Sequence, residues 1–297
     1  MNNYHGIGKN SNFFEGWYIR LVGEDGVLSF IPGISIGEHG KKQAFIQVLS
    51  AEKSSFVPYP ASSFACAMHD PAIRVGDCLF TEKGAGVNIH TKAVDCEGLV
   101  RYGPLTPLQY DIMGPFCLLP IMQCCHQVIS MRHSLSGNIK INGRLMCFDG
   151  GVGYIEKDWG SSFPSSYLWL QSNRFDSPYF CSVMASVAKV PFCGFSFLGC
   201  ICAVRYGDTE YRLATYNGAR VLRWDEHGLM IKQGELLLIA DVKSSSANTL
   251  KAPVLGSMSR IIRENTCCSV QFRLFVGNVQ LFDLMGDHAG FEYVPEQ

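Results

Sequence analysis

Short segments that alternate apolar and polar residues, separated by turn residues, fill almost the whole chain, and this pattern constrains the fold most. FEGWYIRLV, VLSFIPGISI, QAFIQVLSA, CLFTEK, GVNIHTKAV and GLVRYG follow one another in the first third. Glu24–Gly26, Glu38–Lys42 and Glu82–Gly86 read as hairpin tips. The later chain repeats the style with YLWLQSNRF, YFCSVMASV, TEYRLATY, ELLLIADV, CSVQFRLFVG and VQLFDLMG. A period of two, repeated at short even spacing, predicts an all-β protein built as antiparallel barrels or sandwiches. The 297 residues suffice for two such domains.

One stretch breaks the pattern. Gly114–His133 is long and apolar and carries Pro115 and Pro120, which rule out one uninterrupted helix. It is expected to be a crossover between domains, partly helical from about Ile121 onward. The boundary is expected near Gly150, giving domains 1–150 and 151–297. The motif GVGYIEKDWGSSFP would then lie at the junction. Ser244–Pro253 reads as a Ser-rich loop.

Charge excludes several partners. Lys and Arg number 25 against 26 Asp and Glu, so nothing draws the chain to nucleic acid or to an anionic membrane. No apolar run reaches about 18 residues, so no transmembrane helix is expected. The 13 cysteines mostly sit among apolar neighbours, and the opening MNNYHGIGKN has no apolar leader. Free thiols in a reducing cytoplasm are the expectation.

Familiar catalytic signatures are missing. There is no GxSxG elbow, and GVGYIE lacks the third glycine of a dinucleotide loop. HxH, HExxH and CxxC are also missing, and Cys200-x-Cys202 has no matching second pair, so no metal is expected. His126 directly follows two cysteines, but strand neighbours point apart, so that adjacency carries little meaning.

The acids and aromatics remain. On a strand, Tyr154, Glu156 and Asp158 share one face, and Ile155, Lys157 and Trp159 share the other. Two carboxyls and a phenol are costly to bury, and burial turns a carboxyl into a proton donor near neutral pH. The alternative is a solvated strand end with Lys157 paired to Asp158. In NFFEGWYIR, Glu15 and Trp17 share a face. In YLWLQSNRF, Trp169, Gln171 and Asn173 do so, which suits a cavity for a greasy molecule with one polar end or, equally, plain outward alternation.

Together these segments resemble the tocopherol cyclase family. The resemblance rests on FFEGWYIRL, YGPLTPLQYDIMGPF, GVGYIEKDWGSSFPSSYLWLQSNRF, ATYNGARV, LKAPVLGSMSRIIRE and FDLMGDHAGFEYV, in that order. It implies two lipocalin-like β-domains and cofactor-free chemistry on a hydrophobic prenylated or polyene substrate. The roles it implies fall on Glu15, Trp17, Glu156, Asp158, Trp159, Trp169 and Gln171, with Tyr216 and Arg220 as a second tier. The family motif commonly has Asn where Asp158 stands, which changes the charge of the pocket. The expected catalytic acids are therefore Glu156, Asp158 and Glu15. Trp17, Tyr154, Trp159, Trp169, Gln171, Asn173, Tyr216 and Arg220 are expected to bind substrate. The expected partner is a hydrophobic small molecule, collected by transient membrane contact. The rival readings are a carrier, in which the acids tie the domains together through Lys157 and Arg174, and a polyene hydratase.

Overall fold

A computed structural model of the chain describes residues 4–66, 72–118, 122–192, 195–244 and 248–296. The chain divides into two compact units. The first comprises Met1–Pro107, Gln123–Phe163 and Thr249–Ile261; the second comprises Leu108–Met122, Pro164–Asn248 and Ile262–Gln297.

The first unit holds one antiparallel sheet of twelve strands. They are β1 (Phe13–Gly23), β2 (Gly26–Ile36), β3 (Lys42–Ser50), β4 (Ser54–Pro60), β5 (Phe64–Cys66), β6 (Ala72–Val75), β7 (Cys78–Thr81), β8 (Gly84–His90), β9 (Asp95–Tyr102), β10 (Cys124–Ile141), β11 (Arg144–Cys147) and β12 (Val152–Gly160). Their order is 4-3-2-1-12-10-9-8-7-6-5, with β11 added beside β10. The chain thus meanders out from β1, and its last strand returns to pair with the first. The end strands β4 and β5 are joined by only Ala61–Ser63, yet among the described residues no ladder closes them, so the sheet is curled and open. The curl gives it an inside. Trp17, Ile19, Phe30, Ile46, Ile73, Phe80 and Ile155 belong to one buried cluster, with the Phe30 and Phe80 rings 6.0 Å apart.

A second antiparallel sheet repeats the plan with ten strands; its residues within Thr249–Ile261 belong to the first unit and the rest to the second. They are β13 (Tyr167–Ser172), β14 (Cys181–Phe192), β15 (Phe195–Tyr206), β16 (Thr209–Ala214), β17 (Arg220–Asp225), β18 (Gly228–Gln233), β19 (Leu236–Ser244), β20 (Asn248–Val254), β21 (Ser257–Val276) and β22 (Val279–Val294). The order is 16-15-14-13-22-21-19-18-17, with β20 beside β21, so the last strand again pairs with the first. Leu168, Leu170, Val183, Leu213, Leu238, Phe272 and Phe291 belong to its core.

The all-β expectation holds, but the crossover is not partly helical. From Cys124 the chain is strand for eighteen residues, and among the described residues of the crossover helix is confined to a 3₁₀ turn at Gly114–Leu118. The burial of β10 alternates through much of its length, and period two selects strand over helix. Pro120 and Ile121 lie outside the described residues. Much of the expected Ser-rich loop is strand β20, while residues 245–247 lie outside the described residues. Just past the boundary expected near Gly150, β12 is hydrogen-bonded between β1 and β10, inside the first unit. The cysteines of the described residues are free; Cys193 lies outside them. Among the described residues no helix is long and apolar enough to cross a membrane.

One buried histidine reports on folding. His133 lies across from Gly153, where an added Cβ would come within 2.2 Å of its Nε2, so the partner position requires glycine. Its ring packs on Tyr102 at 4.6 Å, and its Nδ1 is 3.0 Å from Ser130 Oγ. Burial lowers its pKa to about 3. The unfolded chain, with an ordinary value near 6.5, binds this proton more readily. The stability His133 contributes is therefore complete above pH 6.5 and is lost as pH falls from there toward 3. Urea unfolding should show a loss approaching about 1.4 kcal/mol per pH unit across this window, and His133→Gln should make the slope shallower.

Candidate functional site

Strand β12 is central, and residues 152–157 on it are buried whichever way they point. Its register fixes the faces. Tyr18 stands opposite Glu156, Arg20 opposite Tyr154 and Gly16 opposite Asp158; Glu15 stands opposite Trp159, Trp17 opposite Lys157 and Ile19 opposite Ile155. Paired residues share a face. The sheet therefore separates two charged clusters.

On the face that carries Ile19 and Ile155, Glu15 and Lys157 form an ion pair at 3.3 Å, and both side chains are fully buried. His5 completes it, donating its backbone N–H to Glu15 Oε2 at 2.8 Å and bringing Nδ1 within 3.2 Å of Oε1. The His5 ring stacks on Trp159 at 4.1 Å. The Lys157 ammonium lies 4.8 Å from the Trp159 ring and 5.7 Å from that of Trp17. Both aromatic faces attract the cation. Burial, then Glu15, pushes the nearby Cys66 thiol up to about 11. Lys157 thus pairs with Glu15, not with Asp158.

The opposite face gathers the other acids around a histidine. His126, on β10, is opposite Asp158, and its Nδ1 lies 2.8 Å from Asp158 Oδ1. Its Nε2 lies 3.5 Å from Glu156 Oε2. The same Glu156 oxygen accepts the Tyr154 hydroxyl at 2.6 Å. One imidazole is held between two carboxyls, with a phenol behind the deeper one. Side-chain exposure rises from 5% at Glu156 to 21% at Asp158. Burial, then Glu156, holds the Tyr154 phenol well above its ordinary pKa, so it stays a donor. Burial, then Asp158, does the same to the Cys124 thiol, which lies 3.9 Å from Asp158. Tyr18 lines this face and accepts a hydrogen bond from Arg20 at 3.1 Å. Gly160 ends the strand at φ +150°, where a Cβ would meet Gln123 O at 2.1 Å. The donor atoms of His126, Glu156 and Asp158 lie within 4.8 Å of one another, a set that could also hold a metal ion.

The structure therefore brings Tyr154, Glu156 and Asp158 together and places Glu15, Trp17 and Trp159 on the other face. His126 and Tyr18 were missed. The usable signal was the i, i+2 spacing of Cys124 and His126, which puts both on one face of β10.

In the second unit, Trp169 and Gln171 face away from the core formed by Leu168 and Leu170. Trp169 is opposite Glu292, which accepts the Tyr167 hydroxyl at 2.6 Å and is itself opposite the buried Glu264. Gln171 is fully buried, and neither its amide oxygen nor its amide nitrogen has a hydrogen-bond partner among the described residues. Asn173 is buried just past the strand. Tyr216 donates its hydroxyl to Ile112 O at 2.8 Å, beside Arg212, which holds the Tyr110 and Asp111 carbonyls; it anchors a loop. Arg220 is exposed on β17.

The profile of a family described as tocopherol cyclase-like matches residues 82–292. No curated protein matches the chain in sequence. Among solved structures, CghA is similar with a TM-score of 0.60 at 10% identity, covering 96% of this chain and 88% of its own. A protein described as AttH from Nitrosomonas europaea is similar with a TM-score of 0.57 at 13% identity, covering 95% and 93%. At these identities the two share the fold.

The buried pair carries a stability prediction. Glu15→Ala strands Lys157 without its carboxylate and should cost about 3–5 kcal/mol in urea unfolding. Replacing both partners, Glu15→Leu with Lys157→Met, should recover most of that loss.

Proposed function

Because the chain belongs to the tocopherol cyclase-like family, we propose that it is an enzyme that protonates an alkene of a hydrophobic prenylated or polyene substrate and so closes a ring, without a cofactor. The observation that carries this reading is the His126 imidazole held between Asp158 at 2.8 Å and Glu156 at 3.5 Å. Glu156 is the proton donor. It is the deeper acid, and once ionised it keeps the Tyr154 hydroxyl at 2.6 Å to stabilise its charge.

Protonation leaves a tertiary carbocation on the substrate. Tyr18 and Tyr154 share the face of Glu156, and aromatic faces stabilise a cation by roughly 0.5–2 kcal/mol each. An oxygen or alkene within the same folded substrate attacks the cation, a new ring bond forms, and a proton is released. His126 and Asp158 return a proton to Glu156, with the more exposed Asp158 as the point of exchange with solvent. Substrate and product have the same mass. Trp17 and Trp159 face Lys157, so their role here is to hold the strand that carries the acid.

Glu156→Gln should lower turnover by about 10²-fold or more while thermal unfolding stays close to wild type. Asp158→Asn should lose about tenfold or less, since His126 remains. The assay is mass spectrometry of lipids that co-purify with the protein, re-incubated with each variant. Unchanged turnover in Glu156→Gln would remove that residue from the chemistry. A product heavier by one water would make the protein a hydratase, and a ligand returned unaltered by wild type would make it a carrier.

A further inference from the structure

Gln171 is fully buried on β13, yet its amide oxygen and amide nitrogen both stand without a hydrogen-bond partner among the described residues. Leaving a buried polar group unmatched costs free energy, and here one side chain carries a donor and an acceptor in that state. The register explains why the sheet does not satisfy them. The cross-strand neighbours of Gln171 are Met184 on β14 and Gly290 on β22. Methionine offers at most a weak acceptor, and glycine offers no side chain at all.

The surroundings on the same face are aromatic and acidic. Trp169, two residues earlier, shares the face, and opposite it Glu292 holds the Tyr167 hydroxyl at 2.6 Å with the buried Glu264 across the next strand pair. Two carboxyl groups on one buried face disfavour an anion. They suit a ligand edge that presents N–H.

We propose that Gln171 forms, on the second unit, a recognition site for an uncharged amide-type edge: a carboxamide, lactam or imide that offers an N–H donor and a C=O acceptor side by side. Such an edge matches both vacant atoms of the Gln171 amide with two parallel hydrogen bonds. A hydroxyl or phenol has one oxygen and serves the two positions less well. A carboxylate has no donor for Gln171 Oε1 and meets the acids. Trp169 covers the adjoining apolar part of the ligand. The proposal rests on the reading of this chain as a binder of a hydrophobic molecule with one polar end, and it is independent of whether Glu156 then turns that molecule over.

The test uses the full chain and three probes with similar apolar tails: octanamide, octanoate and 4-pentylphenol. Binding is followed by calorimetry at pH 8, with thermal unfolding as the second readout and no turnover required. Octanamide should bind tightest, and Gln171→Met should weaken it tenfold or more. In the absence of ligand the same substitution should raise the Tm, because an unmatched polar group is replaced by an apolar one. Gln171→Leu serves the same purpose should the Met variant fold poorly. No binding of octanamide overturns the proposal, as does equal or tighter binding of octanoate or 4-pentylphenol. A fall in Tm on substitution also overturns it, because the amide would then be a structural hydrogen-bonding group. Loss of turnover in Glu156→Gln with octanamide binding intact separates this proposal from the catalytic one.

Discussion

The arrangement of the first unit depends on one constraint: β12 lies in the middle of a sheet and is buried on both faces over most of its length. A central strand of that kind is normally apolar throughout. This one carries Glu156, Lys157 and Asp158 in succession. Alternation sends the lysine one way and the acids the other, so each face must supply its own partners. β1 and the N-terminal segment supply Glu15 and His5 to Lys157; β10 supplies His126 to the acids. The two solutions differ in kind. An ion pair with matched charges is inert, whereas an imidazole between two carboxyls can pass a proton along itself.

Both units build their seam in the same way. In each, a meander ends with its last strand returning to the first, β12 on β1 and β22 on β13. At each seam a buried glutamate accepts a tyrosine hydroxyl at 2.6 Å, Glu156 from Tyr154 and Glu292 from Tyr167. The tyrosine comes from the same strand in the first unit and from the neighbouring strand in the second. Two halves with one topology and one recurring acid–phenol pair fit descent from a duplicated unit, although no residue-level repeat survives in the sequence.

Much of this was legible from alternation alone, because period two fixes which residues share a face. It gave the all-β class and the grouping of Tyr154, Glu156 and Asp158. It did not give the orientation of a face, the register between strands, or which strand lies beside which. The separation of Glu15 from Glu156 needed the register of β1 against β12, a pairing between segments more than a hundred residues apart. His126 was hidden for the same reason: its partner lies 32 residues on. The helical expectation for the segment after Ile121 failed because its apolar content outweighed its period in the reading, while tertiary pairing on both sides of β10 decided for strand. Tyr216 lies within a matching motif and donates its hydroxyl to Ile112 O, a partner about a hundred residues away that alternation could not indicate.

Among the described residues, buried polar atoms without a hydrogen-bond partner occur in both units, His133 Nε2 in the first and both amide atoms of Gln171 in the second. Around β12 the groups that titrate contact one another: imidazole to carboxyl, phenol to carboxyl, ammonium to carboxylate. Contacts of this kind couple the charge of each group to that of its neighbour, which fits the proton transfer proposed for Glu156. On β13 the amide of Gln171 is left open between methionine and glycine. A group that only supported the fold would be cheaper as leucine, and selection for stability alone would remove it. A buried amide kept without a partner makes sense where a ligand provides one, since the free energy withheld in the empty protein is recovered on binding and contributes to selectivity. The Gln171 amide differs from a single unmatched atom in leaving both a donor and an acceptor of one side chain open, and a ligand edge with two matching groups accounts for both at once.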